Sequence, residues 1–402
     1  MQPVWQLTRG RALAASLVTL GLLIWIWALP EQDAAGNPLA VAALLGAAFG
    51  VVLQRGRFCF YCNATDWLSR RRAQGLLAII IALAVGAAAH TAIVSGWLAD
   101  PRSGRLPLDG HIGPVSWVLF VASLVFGLGM AMSGSCLSAH MYRLGEGHLA
   151  SVLALLGALL GFIAAFAVWN AISVQVIHEA PPLWLPNYLG YGGSLLLALL
   201  ILAGLAWALT HWQRADPAAH HSRPPAPPPA QAQLGHLLFA HKWGPGVTGV
   251  AVGLIAIVAY VRLAPLGVTA EMGSVARSLG TSLGAIPERL EGLDSLRGCA
   301  TVVKEHLWSA NGVFVLGLVL ASWASALIAG ECRPSWPRPW VASRIFLGGI
   351  LLGFGAMLAI GCTIGVLLSG IMIGAVSGWI FALGCFLGVW LGWWIRQRLA
   401  QN

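Results

Sequence analysis

Long apolar runs dominate the chain, and short polar or glycine-rich segments separate them. Ten runs are long enough to cross a bilayer, because a spanning helix needs roughly 20 mainly apolar residues. The pattern therefore predicts an all-α polytopic membrane protein with about 9–10 transmembrane helices. The ten runs lie at about 11–30, 39–54, 75–98, 114–132, 148–174, 190–210, 246–262, 308–329, 341–358 and 372–395.

Four further stretches are too short or too broken to cross the bilayer, and each lies between two of the long runs. Non-helical backbone at membrane depth is tolerated only where protein or a wet cavity satisfies its hydrogen bonds. We therefore expect four short re-entrant half-helices that meet at the centre, the first two entering from the cytoplasm and the other two from outside. They lie at about 55–70, 133–146, 263–282 and 359–370.

A glycine–cysteine motif occurs twice and relates two parts of the chain. Cys136 and Cys362 each lie in an apolar stretch, with a pair of glycines nine and seven residues upstream. Glycine-interrupted hydrophobic segments at corresponding places in two membrane halves point to a transport site at the interface of an inverted repeat. We predict that 39–174 and 245–402 form two such inverted-repeat halves.

The remaining segments are predicted to be accessories of these halves. Residues 1–38 are predicted to form an extra N-terminal span and an outer loop. The alternative is a signal peptide, but the apolar run is longer than is usual for one and lacks a clear cleavage site. Residues 175–244 form a connecting span and a Pro-rich cytoplasmic linker. The leucines of 283–306 are spaced as in a helix on the outer membrane surface, or the segment is a long loop.

Composition and charge fit the same class. Hydrophobic residues make up 58% of the chain, charged residues make up 9%, and the mean hydropathy is +0.78. With a cytoplasmic N-terminus, most of the 23 Lys and Arg residues fall inside, whereas most acidic residues fall outside. The positive-inside rule thus places both termini in the cytoplasm, and the net charge of +9 reflects topology and not nucleic-acid binding.

Three of the seven cysteines are candidate pathway residues. Cys59, Cys136 and Cys362 each lie in a predicted half-helix beside glycine or charge, where a side chain can face a central path. Cys62 is either a helper of Cys59 or a packing residue one turn further on. The other three are interpreted as small apolar side chains: Cys299, Cys332 and Cys385.

The cysteine segments carry a family resemblance. Gln-Arg-Gly-Arg-Phe-Cys59-Phe, Gly-Ser-Cys136-Leu-Ser-Ala-His-Met-Tyr-Arg-Leu-Gly-Glu-Gly and Gly361-Cys362-Thr-Ile-Gly resemble the YeeE/YedE family of bacterial inner-membrane sulphur transporters. The likeness covers about 40–398. It implies thiosulfate uptake, nine spans with four short central helices, and a pathway lined by three cysteines, which by motif match are Cys59, Cys136 and Cys362. It also implies a cytoplasmic sulphur-transfer partner, and because some relatives are linked to selenium metabolism, a selenium compound is an alternative substrate.

The chemistry of thiols suits such a substrate. Thiosulfate is a dianion with one soft sulphur terminus, and a thiol S–H is a weak donor suited to a soft acceptor. Several weak sites in series allow an ion to enter and leave, whereas one strongly cationic pocket would retain it. The N-termini of half-helices add partial positive charge without a fixed cation.

Charged residues near these segments are possible supporting groups. Arg55, Arg57 and Arg143 can draw an anion inward, although positive-inside anchoring explains them equally well. Glu146 is expected to pair with Arg143 or to cap the short helix. Glu271 lies in the third half-helix, where an outer vestibule role is possible.

Two other classes of function have sequence features in their favour. Cys59 and Cys62 form a C-x-x-C pair, as in an intramembrane thiol–disulfide electron-transfer protein, but the second half has no matching pair. Cys136 and His140 lie four residues apart on one helical face, as two metal ligands would, but lack convincing further ligands. The chain has no nucleotide-binding P-loop. We therefore predict a transporter that is not an enzyme and that needs no metal or cofactor.

Overall fold

A computed structural model describes residues 9–107, 110–214, 241–265, 267–293 and 308–401. In these ranges the chain is almost entirely helical, and its β contacts are isolated bridges outside any strand. In chain order the helices are α1 Arg9–Ala28, α2 Leu39–Gly56, α3 Phe60–Arg70, α4 Gln74–Trp97, α5 Trp117–Ser133, α6 Leu137–Gly145, α7 Ala150–Ile172, α8 Leu185–Arg214, α9 Pro245–Arg262, α10 Val268–Ser282, α11 Ala310–Ala329, α12 Pro339–Leu358, α13 Thr363–Ile373 and α14 Val376–Gln401.

The lengths of these helices confirm the predicted class. Among the described residues, ten helices are long and apolar enough to cross a membrane. The chain is thus an all-α polytopic membrane protein. Four helices, α3, α6, α10 and α13, are shorter and lie where the sequence predicted half-helices. Most of α13 is π-helical, with five-residue hydrogen bonding over Thr363–Ser369.

Capping residues fix the ends of the helices that lead into the short segments. The Ser116 hydroxyl accepts a hydrogen bond from the N–H of Leu119 at 3.3 Å and starts α5. Gly134 ends α5 in the left-handed conformation, with φ of 89°, which glycine adopts without steric cost. The chain therefore turns sharply after α5, and α6 begins only three residues later, after Cys136.

The long helices pack across the two predicted halves in a reciprocal pattern. Helix α2 packs against α11 and α4 against α9, while α5 packs against α14 and α7 against α12. In addition, α2 contacts α9 and α5 contacts α12. Exchanging the helices of 39–174 with their counterparts in 245–402 maps this set of pairs onto itself. The two halves are therefore packed into each other with a two-fold pattern of contacts, and the inversion of one half relative to the other stays a prediction.

Glycines allow two of these helices to approach backbone to backbone. Gly157 and Gly161 on α7 face Gly349 and Gly353 on α12, with each pair spaced by four residues. A Cβ added at Gly353 would overlap the carbonyl oxygen of Ala158. Small residues at four-residue spacing are the usual means by which membrane helices pack closely, because lipid gives them no hydrophobic reason to associate.

The accessory segments are only partly described. Helix α1 packs mainly against α11 and exposes much of its surface, as expected for an extra span at the periphery. The Pro-rich part of the predicted linker, 215–240, lies outside the described residues. The predicted outer surface segment is described only as far as residue 293.

The described part of that outer segment, 283–293, differs from a surface helix. It forms turns, and Leu290 and Leu293 are buried in the main core. The indole N–H of Trp169, near the end of α7, donates to a backbone carbonyl of the segment at 3.0 Å. Leu290 and Leu293 therefore face protein and not lipid, and the loop alternative describes residues 283–293.

A cysteine-lined candidate site

Three of the four short helices begin at a cysteine. Cys59, Cys136 and Cys362 are the N-cap residues of α3, α6 and α13, each with an extended backbone, and Gly267 holds the same place before α10. Unpaired backbone N–H groups and the helix dipole make this end of a helix partially positive. The three predicted pathway residues therefore share one local position, where a thiol lies beside partial positive charge.

The structure also brings these cysteines into one buried region. Cys59 and Cys136 are each 1% exposed and Cys362 is fully buried. The thiols of Cys59 and Cys136 are close enough to interact, and the Cys136 sulphur lies 3.4 Å from the hydroxyl of Ser138. A small cavity joins Cys136 to Thr363, the residue after Cys362. A soft anion in this region would meet thiols and hydroxyls without a fixed charge among them.

The turn before Cys362 has an unusual backbone. Ile360 has φ of +59°, a left-handed conformation that is rare for a β-branched residue. The imidazole Nε2 of the buried His111 lies 3.1 Å from the carbonyl oxygen of Ile360. This contact helps to hold the turn that aims Cys362 inward. The sequence analysis missed His111, because 249 residues separate it from its partner.

Cys62 lies one helical turn after Cys59, and its sulphur contacts a cation. The Nη2 of Arg143 donates to the Cys62 sulphur at 3.2 Å, and the backbone N–H of Cys62 donates to the Cys59 sulphur at 3.4 Å. Arg143 belongs to α6, so this contact ties the short helices α3 and α6 together. Cys62 is half-buried, whereas Cys59 is almost inaccessible.

Arg55 and Arg57 are engaged in an ion-pair network. Arg57 bridges Glu146 and Glu331, each at 3.1 Å, and the fully buried Arg55 also pairs with Glu331. The side-chain amide of Gln54 donates to both glutamates. Of the two alternatives expected for Glu146, pairing with Arg143 is wrong, because Arg57 reaches this carboxylate from the end of α2. Capping of the short helix is confirmed, because Glu146 is the C-cap residue of α6. The sequence analysis also missed Glu331, which follows α11.

Electrostatics keep Glu331 charged in this network. Burial by itself favours the neutral acid, but Arg55 and Arg57 outweigh it and hold the pKa of Glu331 below its ordinary value. Two arginines are thus neutralised by two carboxylates at the end of α2. They form a junction between α2, α6 and α11, and a supporting role of Arg55 and Arg57 toward an anion stays a prediction.

Glu271 lies at the mouth of a separate cavity. It is in the first turn of α10, and its carboxylate accepts a hydrogen bond from the Ser309 hydroxyl at 3.0 Å. The cavity has a volume of about 210 Å³ and is also lined by Asp33, Asn37 and Gly267. This position suits the vestibule role expected for Glu271, which stays a prediction.

The profile of the sulphur transport family matches residues 55–391. The chain belongs to the sulphur transport family. The match spans all the cysteine-capped helices described above, and it makes this protein a transporter and not an enzyme. The family resemblance inferred from the cysteine segments is thereby confirmed.

Two relatives align with nearly the whole chain and a third with about half of it. The thiosulfate transporter TsuA of Escherichia coli K12 is 27% identical over 373 residues, which cover 89% of this chain and 96% of that protein. The thiosulfate transporter TsuA of Spirochaeta thermophila is 26% identical over 365 residues, with coverages of 88% and 98%. The probable transporter YedE of Salmonella typhimurium is 29% identical over 201 residues, about half of each chain.

The residues that favoured other functions have the following contacts in this sulphur transport protein. Six cysteines of the described residues are free thiols, including Cys59 and Cys62. His140 lies 3.3 Å from the Ser151 hydroxyl through its Nδ1 atom, as a histidine with a local hydrogen bond does. Among the described residues, no three His, Cys, Asp or Glu side chains cluster as a metal site would require.

The ion-pair network gives a stability prediction. Glu331→Ala removes a carboxylate that pairs with the buried Arg55, and because Glu331 itself is 26% exposed, the loss is expected to cost about 1–3 kcal/mol. We expect a clearly lower midpoint in thermal unfolding of the purified protein in detergent. Glu291→Ala is the matched control, because among the described residues Glu291 forms its ion pair with the exposed Arg289, at 3.5 Å. Equal midpoints for the two variants would contradict a structural role of the network.

Proposed function

We propose that this transporter imports thiosulfate, or a closely related sulphur-containing anion, across the bacterial inner membrane. Two relatives that align over nearly their full length are named thiosulfate transporters. The orientation proposed is the one with both termini in the cytoplasm, which places most arginines inside. The observation that carries the proposal is that Cys59, Cys136 and Cys362 each begin a short buried helix.

In the proposed mechanism, the anion passes along the thiols by weak S–H hydrogen bonds. Each thiol lies beside a partially positive helix N-terminus, so the dianion is stabilised without being trapped by a full charge. Cys362 belongs to the second half, and Cys59 and Cys136 belong to the first. The ion would meet Cys362 first from the outside, then Cys136, then Cys59. The short helices would act as re-entrant elements of two inverted halves, 39–174 and 245–402.

The two ends of the path have different proposed roles. The cavity beside Glu271 would be the outer vestibule, because it opens at the N-terminus of α10. The end that carries Arg143 and the ion-pair network would face the cytoplasm. There, as the family resemblance implies, a soluble sulphur-transfer protein would receive the ion.

Uptake by intact cells tests the substrate. Cells without thiosulfate importers of their own would express this protein and receive labelled thiosulfate. We expect uptake well above that of cells with an empty vector, and little inhibition by excess unlabelled sulfate, which lacks the soft sulphur terminus. Absence of uptake at verified membrane expression would contradict the proposal. Uptake of a labelled selenium compound instead would favour the alternative substrate.

A further inference from the structure

Arg143 differs from the other arginines near the candidate pathway. Arg55 and Arg57 each pair with a glutamate, whereas none of the ion pairs among the described residues involves Arg143. A guanidinium that is largely removed from water needs a partner, because desolvation of an unpaired charge is costly. In this structure Arg143 instead donates to the sulphur of Cys62 and to the backbone carbonyl oxygen of Gly134.

The surroundings of that sulphur contain a second donor. The hydroxyl of Ser135 is fully buried and interacts with the Cys62 thiol, but it makes no hydrogen bond of ordinary geometry. Buried polar groups in native proteins are nearly always satisfied, so this hydroxyl calls for a ligand. The other end of the Arg143 guanidinium is fixed by the backbone carbonyl of Gly134 at 3.4 Å. A guanidinium and a hydroxyl therefore converge on one half-buried position.

We propose that Arg143, Ser135 and Cys62 form an inner subsite for the transported anion, where Arg143 binds its sulfonate oxygens. This inference rests on the proposed function. A guanidinium group can bind two oxygens of an oxyanion through two parallel N–H hydrogen bonds. In this structure only one N–H group of Arg143 donates to the Cys62 sulphur. A sulphur atom is a weak acceptor, so an arriving anion displaces it from Arg143 at little cost. Cys62 then contacts the sulphur terminus of the ion.

The place of the subsite suits the last step before release. Cys62 lies one turn beyond Cys59 on α3. The Cys62 side chain is half-buried, whereas that of Cys59 is almost inaccessible to solvent. When the anion leaves, Arg143 again donates its hydrogen bond to the Cys62 sulphur. This exchange keeps the cation partnered in both states and prevents it from holding the dianion too tightly.

Protection of Cys62 from alkylation tests the subsite. The purified full-length protein in detergent would react with iodoacetamide, and mass spectrometry would follow modification at Cys62 with and without thiosulfate. In the parent we expect saturating thiosulfate to slow the alkylation of Cys62 by a factor of about five or more, because the bound anion then shields Cys62 in most molecules. Sulfate at the same concentration should protect less. Because thiosulfate itself displaces iodide from iodoacetamide and consumes the reagent, modification of Cys62 is expressed relative to that of Cys332, which is half-buried outside the subsite and serves as the internal control.

Two variants connect this protection to the proposed contacts. Arg143→Gln should abolish it, whereas Arg143→Lys should retain part of it because the charge remains. Ser135→Ala removes one hydroxyl and should weaken the protection of Cys62 severalfold. This second variant keeps the test decisive if Arg143→Gln fails to fold. Equal protection in the parent and in these variants would overturn the subsite. A parent that imports thiosulfate without any protection of Cys62 would overturn the subsite alone, whereas a parent without uptake would overturn the proposed function.

Discussion

Cys136→Ala is expected to reduce thiosulfate uptake more than tenfold at matched membrane levels. Cys136 begins α6, contacts Ser138, and borders the cavity that leads to the start of α13. Removing its thiol leaves a gap in the series of weak donors. A lost hydrogen bond to a charged group costs about 1.5–3 kcal/mol, and each 1.4 kcal/mol at the barrier is about a factor of ten in rate. The measurement is the initial rate of labelled thiosulfate uptake.

Cys385→Ala is the matched control for this variant. Cys385 is also a fully buried cysteine, but it lies within the long helix α14 in the apolar core. Its replacement should preserve most of the uptake, because only a small apolar contact is lost. Cys59→Ala and Cys362→Ala should behave like Cys136→Ala. Uptake at the parental rate by the Cys136 variant would contradict passage along thiols.

Gly353→Ala is expected to reduce the yield of folded protein severalfold. The added Cβ would overlap the carbonyl oxygen of Ala158, which is backbone and has no other rotamer. Helices α7 and α12 must then separate, and overpacking of this kind typically costs about 1–3 kcal/mol. The separation would also move Cys362, which follows α12 after a short turn. The measurement is the monodisperse fraction on size exclusion in detergent, together with the thermal midpoint.

A control glycine separates this effect from glycine replacement in general. Gly204 lies in α8, and nothing lies within 4 Å of a Cβ added there. Because alanine favours a helix over glycine by about 1 kcal/mol, Gly204→Ala should be neutral or slightly stabilising. If both variants gave the parental yield, the close backbone contact between α7 and α12 would not be needed for folding.

Hydropathy was sufficient to locate the helices. The run predicted at 75–98 is helix α4, Gln74–Trp97, and the short stretch at 133–146 contains helix α6, Leu137–Gly145. Such agreement is expected in a membrane, where a spanning segment must satisfy its own backbone and carry an apolar surface over its length. The same physics identified the cysteine segments, because glycine and charge interrupt the apolar runs beside them.

Contacts between distant residues could not be read from the chain. Glu331 pairs with Arg55 across 276 positions, and Glu146 pairs with Arg57 and not with its near neighbour Arg143. Helical spacing reveals only neighbours within a few residues, whereas these pairs depend on how α2, α6 and α11 pack together. For the same reason, spacing along the chain does not reveal that Ser135 is buried beside Cys62.

The proposal that an intact anion passes along the thiols is tested most directly by transport into liposomes that contain only the purified protein. Thiosulfate labelled at its terminal sulphur, and thiosulfate labelled at its central sulphur, would be supplied in separate experiments. The account predicts that both labels enter at the same rate, and that liposomes with the Cys136→Ala variant accumulate neither above the background of empty liposomes. Entry of only one label would indicate chemical cleavage and not passage. Equal entry of both labels into parent and variant liposomes would contradict a pathway of thiols.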